Sequence, residues 1–188
     1  TVFDDNALDN GVDKYAGKHI MIYGACPSSN REHALEFLRS LSPSKLRYER
    51  KIAYQGDKHV VNVVVSDVHY EVDMSLLGRN ARSVWHQVHT TIVDSIRASQ
   101  SNKGIILCKN FENCCADLAR VFFSYLQRPM VLLTPVRFII TTSQYSFIPT
   151  SIRLRCHTVP VRTTILTRAN KWSPTALCKR IMCCILGE

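Results

Sequence analysis

The chain is short of the features that mark several protein classes. No apolar run approaches the ~18 residues that a membrane span requires, and no secretory signal is visible, although the sequence opens on Thr1 rather than Met. None of its eight cysteines forms a C-x-x-C pair: Cys114-Cys115 and Cys183-Cys184 are vicinal and the other four are scattered. No histidine stands at ligand spacing from them, which argues against a zinc module or a disulfide framework and favours reduced thiols. Cys108 and Cys156 read as small core hydrophobes. Base is lacking before Lys14, where four Asp stand alone, and acid is lacking at the other end: from Leu126 onward nine Lys/Arg face a single acid.

What is present is an ordinary globular composition of 188 residues, 46% apolar and 21% charged, enough for one domain with a sizeable core. The net charge of +9 suits a polyanionic partner such as nucleic acid, and equally a solvated basic surface. The distribution of charge makes the basic tail the more partner-facing part. We divide the chain into a polar tail (1–17), an α/β domain (18–165) and a basic helical tail (166–188).

The pattern through the middle segment alternates strands with helices. Apolar or β-branched runs at His19–Tyr23, His59–Val65, Val68–Val72, Gly104–Cys108, Val136–Thr142 and His157–Val161 read as strands. Lys45–Tyr54 reads as a charged strand turning at 55–58. Helical spacing covers Arg31–Leu41, Arg79–Arg97 and Asp117–Leu126, with Ser75–Gly78 as loop and Ser151–Arg155 as a short helix or turn. A final amphipathic helix is expected from Trp172 to Leu186. Such alternation predicts three layers around a mainly parallel sheet.

The first strand, small loop and helix have the layout of a phosphate-binding P-loop, G-x-x-x-x-G-K-[ST]. Counting from Gly24, the second glycine is Ser29, the lysine is Asn30 and the hydroxyl residue is Arg31. Without the lysine the β/γ-phosphates lose a fixed cation, and without the hydroxyl Mg²⁺ loses a ligand. Any strand-loop-helix corner of an α/β protein fits the same residues.

Several segments in order resemble a replication factor C small subunit, an AAA+ clamp loader of P-loop NTPase type: Lys45-Leu46-Arg47 with Glu49, Ser66 to Asp73, and the Trp85–Ile92 helix. Ile105–Leu107 follows at the Walker B strand, and then Ile148 with Ile152-Arg153-Leu154-Arg155-Cys156-His157. The resemblance covers about residues 18–165. It implies a P-loop NTPase base domain, without the family's helical collar. It also implies that the Walker B Asp-Glu pair falls on Lys109 and Asn110, where a lysine would repel a metal. The sensor asparagine falls near Ser143. The family's Leu-Arg-Arg run becomes Phe122-Phe123-Ser124, and its upstream Gln becomes Ala119.

The expectation is a chain that does not hydrolyse ATP and needs no cofactor or metal. Arg155 falls on the family's arginine-finger position, which serves a neighbouring subunit's ATP, although Leu154 replaces the family's serine. Arg79 and Arg82, opening the helix after Gly78, are candidates for sequence-blind phosphate contacts. His86 and His89 read as surface or core-edge residues. The implied partners are other subunits of a hetero-oligomer and nucleic acid, with no membrane, and the implied location is the nucleus. The alternative is a repurposed AAA+-like structural or adaptor subunit of a large assembly, such as an organellar ribosome or a virion, placed in the mitochondrial matrix, another organelle or the particle. A full subunit carries a lid and collar, of which the residues after Ile165 suffice only for the first helix of a lid. The chain is thus expected to be either a fragment or a shortened relative.

Overall fold

The computed structural model describes residues 19–55, 60–99, 104–127 and 136–161. The two tails, with the expected helix over 172–186, and the turn residues 56–59 lie outside these. Seven strands form one sheet: β1 (His19–Tyr23), β2 (Arg50–Gln55), β3 (Val60–Val65), β4 (His69–Asp73), β5 (Gly104–Lys109), β6 (Val136–Thr142) and β7 (Cys156–Pro160). Their order is β2-β3-β4-β5-β6-β1-β7. The pairings β4–β5, β5–β6, β6–β1 and β1–β7 are parallel, whereas β2–β3 and β3–β4 are antiparallel. The β2–β3 register ends on the pair Gln55↔Val60.

Three helices cover the sheet: α1 (Pro27–Leu41), α2 (Ala81–Ala98) and α3 (Ala116–Gln127). On one face, α1 packs Ala34, Leu35, Phe37 and Leu38 against Ile20, Ile22, Leu107 and Ile139. On the other, α2 and α3 cover the alternate residues of the same strands, Met21, Ile106, Cys108, Phe138 and Ile140. Trp85 of α2 is fully buried beside Phe122 and Tyr125 of α3. Both faces of the central strands are therefore covered, which is why they read as continuous apolar runs. This is the expected three-layer α/β domain around a mainly parallel sheet. After β1 the chain crosses to β2 at one edge of the sheet, and after β6 it crosses to β7 at the other. The strand order thus reverses between β1 and β6, the place where open α/β sheets put their ligand crevice.

Several boundaries differ from the sequence reading, most by a residue or so, and four have a local reason. Helix α1 begins at Pro27, one turn before Arg31, because proline is pre-set for the first helical position. Strand β2 begins only at Arg50, because Lys45 and Leu46 both adopt left-handed backbone (φ 54° and 56°) that no strand accommodates. Residues Met74–Leu77 form a 3₁₀ turn rather than loop: Asp73 accepts the Ser75 N–H at 3.0 Å, and Gly78 ends the turn at φ 69°. Helix α2 begins at Ala81, so Arg79 precedes it and Arg82 lies in its first turn.

Candidate functional site: the loop after β1 and its surroundings

The crevice between β1 and β6 is closed by the residues that the P-loop pattern singled out. Gly24 donates its N–H to the Thr142 carbonyl at 3.3 Å. After only Ala25 and Cys26 the chain is already helical, and Asn30 N–H bonds to the Cys26 carbonyl at 3.0 Å. A turn of helix thus occupies the stretch that a phosphate-wrapping loop would use. Asn30, in the lysine position, is 0% exposed. Its Nδ2 donates to the carbonyls of Gly24 (2.8 Å) and Thr142 (2.9 Å), tying the loop to the end of β6. Its Oδ1 is buried without a hydrogen-bond partner among the described residues. Ser29 lies at the surface end of this turn, its carbonyl 2.9 Å from His33 Nδ1.

Next to this plug lies a charge cluster. Arg31, in the hydroxyl position, forms a bidentate contact with Glu71 of β4: Nε to both carboxylate oxygens at 3.0 and 3.1 Å, and Nη2 at 2.8 Å. Lys109, where the resemblance expects the Walker B aspartate, reaches Glu71 at 3.2 Å and Asp73 at 3.4 Å. Asn110, where it expects the glutamate, has left-handed backbone (φ 55°) and donates Nδ2 to Asp73 at 3.1 and 3.2 Å. Parallel pairing brings these groups together, since Asp73 sits beside Lys109 and Glu71 lies two residues back on the same face.

Glu71 is only 2% exposed. Burial pushes its carboxyl pKa up, but the Arg31 hydrogen bonds and charge, together with Lys109, outweigh that and hold it below the ordinary value. Asp73 is likewise lowered: burial raises it, and Ser75, Asn110 and Lys109 outweigh burial. The Arg31 pKa moves up because of its Glu71 hydrogen bond. Two cations and two carboxylates are thus arranged to neutralise each other, with an asparagine fixed alongside.

The remaining candidates stand apart from this cluster. Ser143, near where the resemblance expects the sensor asparagine, directs its N–H (3.2 Å) and hydroxyl (2.5 Å) to Glu112. Arg79 and Arg82 are exposed and line an open cavity of about 570 Å³ between α2 and α3, with His86, Cys115, Asp117 and Tyr125 among its walls. His86 is exposed, with Nδ1 3.3 Å from the Tyr125 hydroxyl, whereas His89 is buried against Trp85, Tyr125 and Phe138. Arg155 is exposed just after the helical turn Thr150–Arg153, its guanidinium 5.8 Å from the centre of the Phe123 ring. Phe123 replaces an arginine of the resembled pattern.

Sequence reasoning missed Glu71 and Asp73. A signal existed: His69, Glu71 and Asp73 are polar at alternate positions of a strand otherwise filled with apolar and aromatic residues, so one face of β4 carries a polar row. Among the described residues no group of three His, Cys, Asp or Glu side chains is arranged to hold a metal, and no helix is long and apolar enough to cross a membrane.

No protein-family model and no curated protein sequence matches the chain. Among solved structures it is similar to a DNA polymerase III gamma subunit-related protein from Thermotoga maritima, at 16% identity and a TM-score of 0.48, over 84% of this chain and 45% of that one. It is also similar to a RuvB variant from Thermotoga maritima, at 9% identity and a TM-score of 0.46, over 82% of this chain and 41% of that one. A second RuvB variant gives 9% and 0.48, over 86% and 46%. The chain spans less than half the length of each of these structures.

Proposed function

We propose that the chain is a clamp-loader-like subunit of AAA+ type that does not hydrolyse ATP and serves DNA replication as a scaffold for neighbouring subunits. The observation that carries this reading is that the residues at all four nucleotide-handling positions bond inward. Asn30 bonds to the loop and β6, Arg31 and Lys109 to Glu71, and Asn110 to Asp73. A triphosphate would have to break these contacts and would find neither a free lysine nor a metal-binding carboxylate pair in return.

In this reading Arg155 acts in trans on a neighbour's ATP. Its guanidinium is always charged, and the Phe123 ring face limits where it can point. Arg79 and Arg82 contribute sequence-blind phosphate contacts beside the α2 amino terminus.

Calorimetric titration of the purified chain with Mg²⁺-ATP tests the first part, with no Mg²⁺-dependent binding expected up to millimolar nucleotide. Saturable Mg²⁺-dependent binding in that range would overturn it. Co-purification with replication factor C subunits or with a sliding clamp tests the second part. Recovery in a ribosomal or virion fraction, without clamp or clamp-loader subunits, would instead assign the chain to the structural class.

A further inference from the structure

The loop between α1 and β2 is held in an unfavourable backbone shape by a hub. Ser42 is buried, and its hydroxyl lies 2.9 and 2.8 Å from the two carboxylate oxygens of Asp67 while accepting the Leu46 N–H at 3.0 Å. Asp67 also accepts the Ser44 N–H at 3.2 Å. Between these struts Lys45 and Leu46 are both left-handed, a conformation that side chains bearing a Cβ resist and that persists only where the surroundings impose it. The result is directional. Leu46 turns inward against the α1-side core, while Lys45, Arg47 and Tyr48 face solvent, followed by the exposed Arg50 and Lys51.

Tyr48 is 77% exposed. Among the described residues none of these four cations takes part in a salt bridge, and the only acid in the stretch is Glu49. The loop therefore presents Lys45 and Arg47 beside one bare aromatic ring, and Arg50 continues the basic stretch as the first residue of β2.

We propose that this loop is a docking site for single-stranded nucleic acid, separate from the Arg79–Arg82 surface. Lys45, Arg47 and Arg50 engage phosphates of the strand, and the Tyr48 ring stacks on an unpaired base. The combination of backbone-tracking cations with a stacking platform is what sequence-tolerant single-strand binding needs. A duplex, whose bases are already stacked, has no face to offer the ring. Holding the loop rigid in advance lowers the ordering cost of binding.

Fluorescence anisotropy of the whole chain with labelled dT20, and with a duplex of equal length, tests the proposal over a range of salt concentrations. The chain is expected to bind dT20 more tightly than the duplex. Arg47→Glu and Arg50→Glu should each weaken both and lower the salt dependence by about one unit of slope. Tyr48→Ala should weaken dT20 alone, by about fivefold or more, with the salt slope unchanged. Matched thermal melts check that each variant is folded, and Arg47→Gln substitutes should Arg47→Glu fail that check. The proposal is overturned if Tyr48→Ala binds dT20 as the parent does, or if single strand and duplex bind alike. It is also overturned if Arg79→Glu/Arg82→Glu abolishes binding while the loop variants leave it intact. Competition by polyglutamate as effective as by dT20 would assign the loop to an acidic protein instead.

Discussion

Asn30 Nδ2 donates to the Thr142 carbonyl at 2.9 Å across 112 residues of sequence, joining the first turn of α1 to the end of β6. The same nitrogen holds Gly24, so one side chain closes the crevice where the strand order reverses. Asn30→Ala leaves two buried carbonyls short of a donor and opens a cavity. We expect a loss of about 2–3 kcal/mol, read as a melting temperature lower by roughly 5–10 °C. Asn30→Asp should cost at least as much, because it sets a carboxylate against the same two carbonyls. An unchanged melting temperature for both variants would remove Asn30 as the tie.

Gly24 is required by space rather than by its backbone angles. A Cβ there would lie 2.5 Å from the Val161 carbonyl oxygen and 2.8 Å from Asn30 Oδ1, so backbone would have to move. At Gly104 the nearest atoms, at 2.3 and 2.6 Å, belong to the Ile96 side chain, which can change rotamer. Gly24→Ala is expected to destabilise more than Gly104→Ala, with both in the range of about 1–3 kcal/mol by urea denaturation. The reverse ranking would show that the Gly24 neighbourhood yields easily.

Most of the scaffold was legible because the central strands are covered on both faces, and such strands announce themselves as unbroken apolar runs. Strands β1 and β6 were bounded to the residue for that reason. Local conformation was harder to read. Nothing in Lys45-Leu46 signals left-handed backbone, since the shape is imposed by Ser42 and by Asp67 more than twenty residues away. The charge cluster was half legible: the P-loop count marked Arg31 and the clamp-loader resemblance marked Lys109 as departures, but their partners come from β4 through parallel pairing, which sequence spacing does not encode.

Within that cluster the two cations are not equivalent. Arg31 grips Glu71 with three contacts of 2.8–3.1 Å, whereas Lys109 spans Glu71 and Asp73 at 3.2 and 3.4 Å. Arg31→Met should therefore leave the buried Glu71 carboxylate under-compensated and cost about 2–4 kcal/mol. Lys109→Met leaves the bidentate pair intact and Asp73 bonded to Asn110 and Ser75, so its cost should be about 1 kcal/mol. Combining Arg31→Met with Glu71→Met should recover much of the loss, because the orphaned charge is then gone. A double variant no more stable than Arg31→Met alone would show that shape, not charge, decides.

Acid sensitivity should arise in two windows with separate owners. His19 and His69 are buried, and burial lowers both from the ordinary 6.5 to about 4. The neutral ring suits the fold: His19 Nδ1 accepts the Phe138 N–H at 3.1 Å, and His69 Nδ1 lies 2.6 Å from the Ser66 hydroxyl. Between pH 6.5 and 4 the unfolded chain therefore takes up protons that the folded chain refuses. This stability is fully present above pH 6.5 and drains away as pH falls toward 4, by up to about 3 kcal/mol for each ring. Glu71 and Asp73 are lowered too, so their contribution has the same sign but a lower window. Their lowered values keep their contribution intact above the ordinary carboxylate range and lose it only as pH drops through that range and below. Urea denaturation at pH 7.5, 6.0 and 5.0 should show the first window. A His19→Asn/His69→Asn variant should flatten it, while Glu71→Gln leaves it in place. If the double variant loses stability with the same slope between pH 7.5 and 5.0, groups other than these two rings own that window.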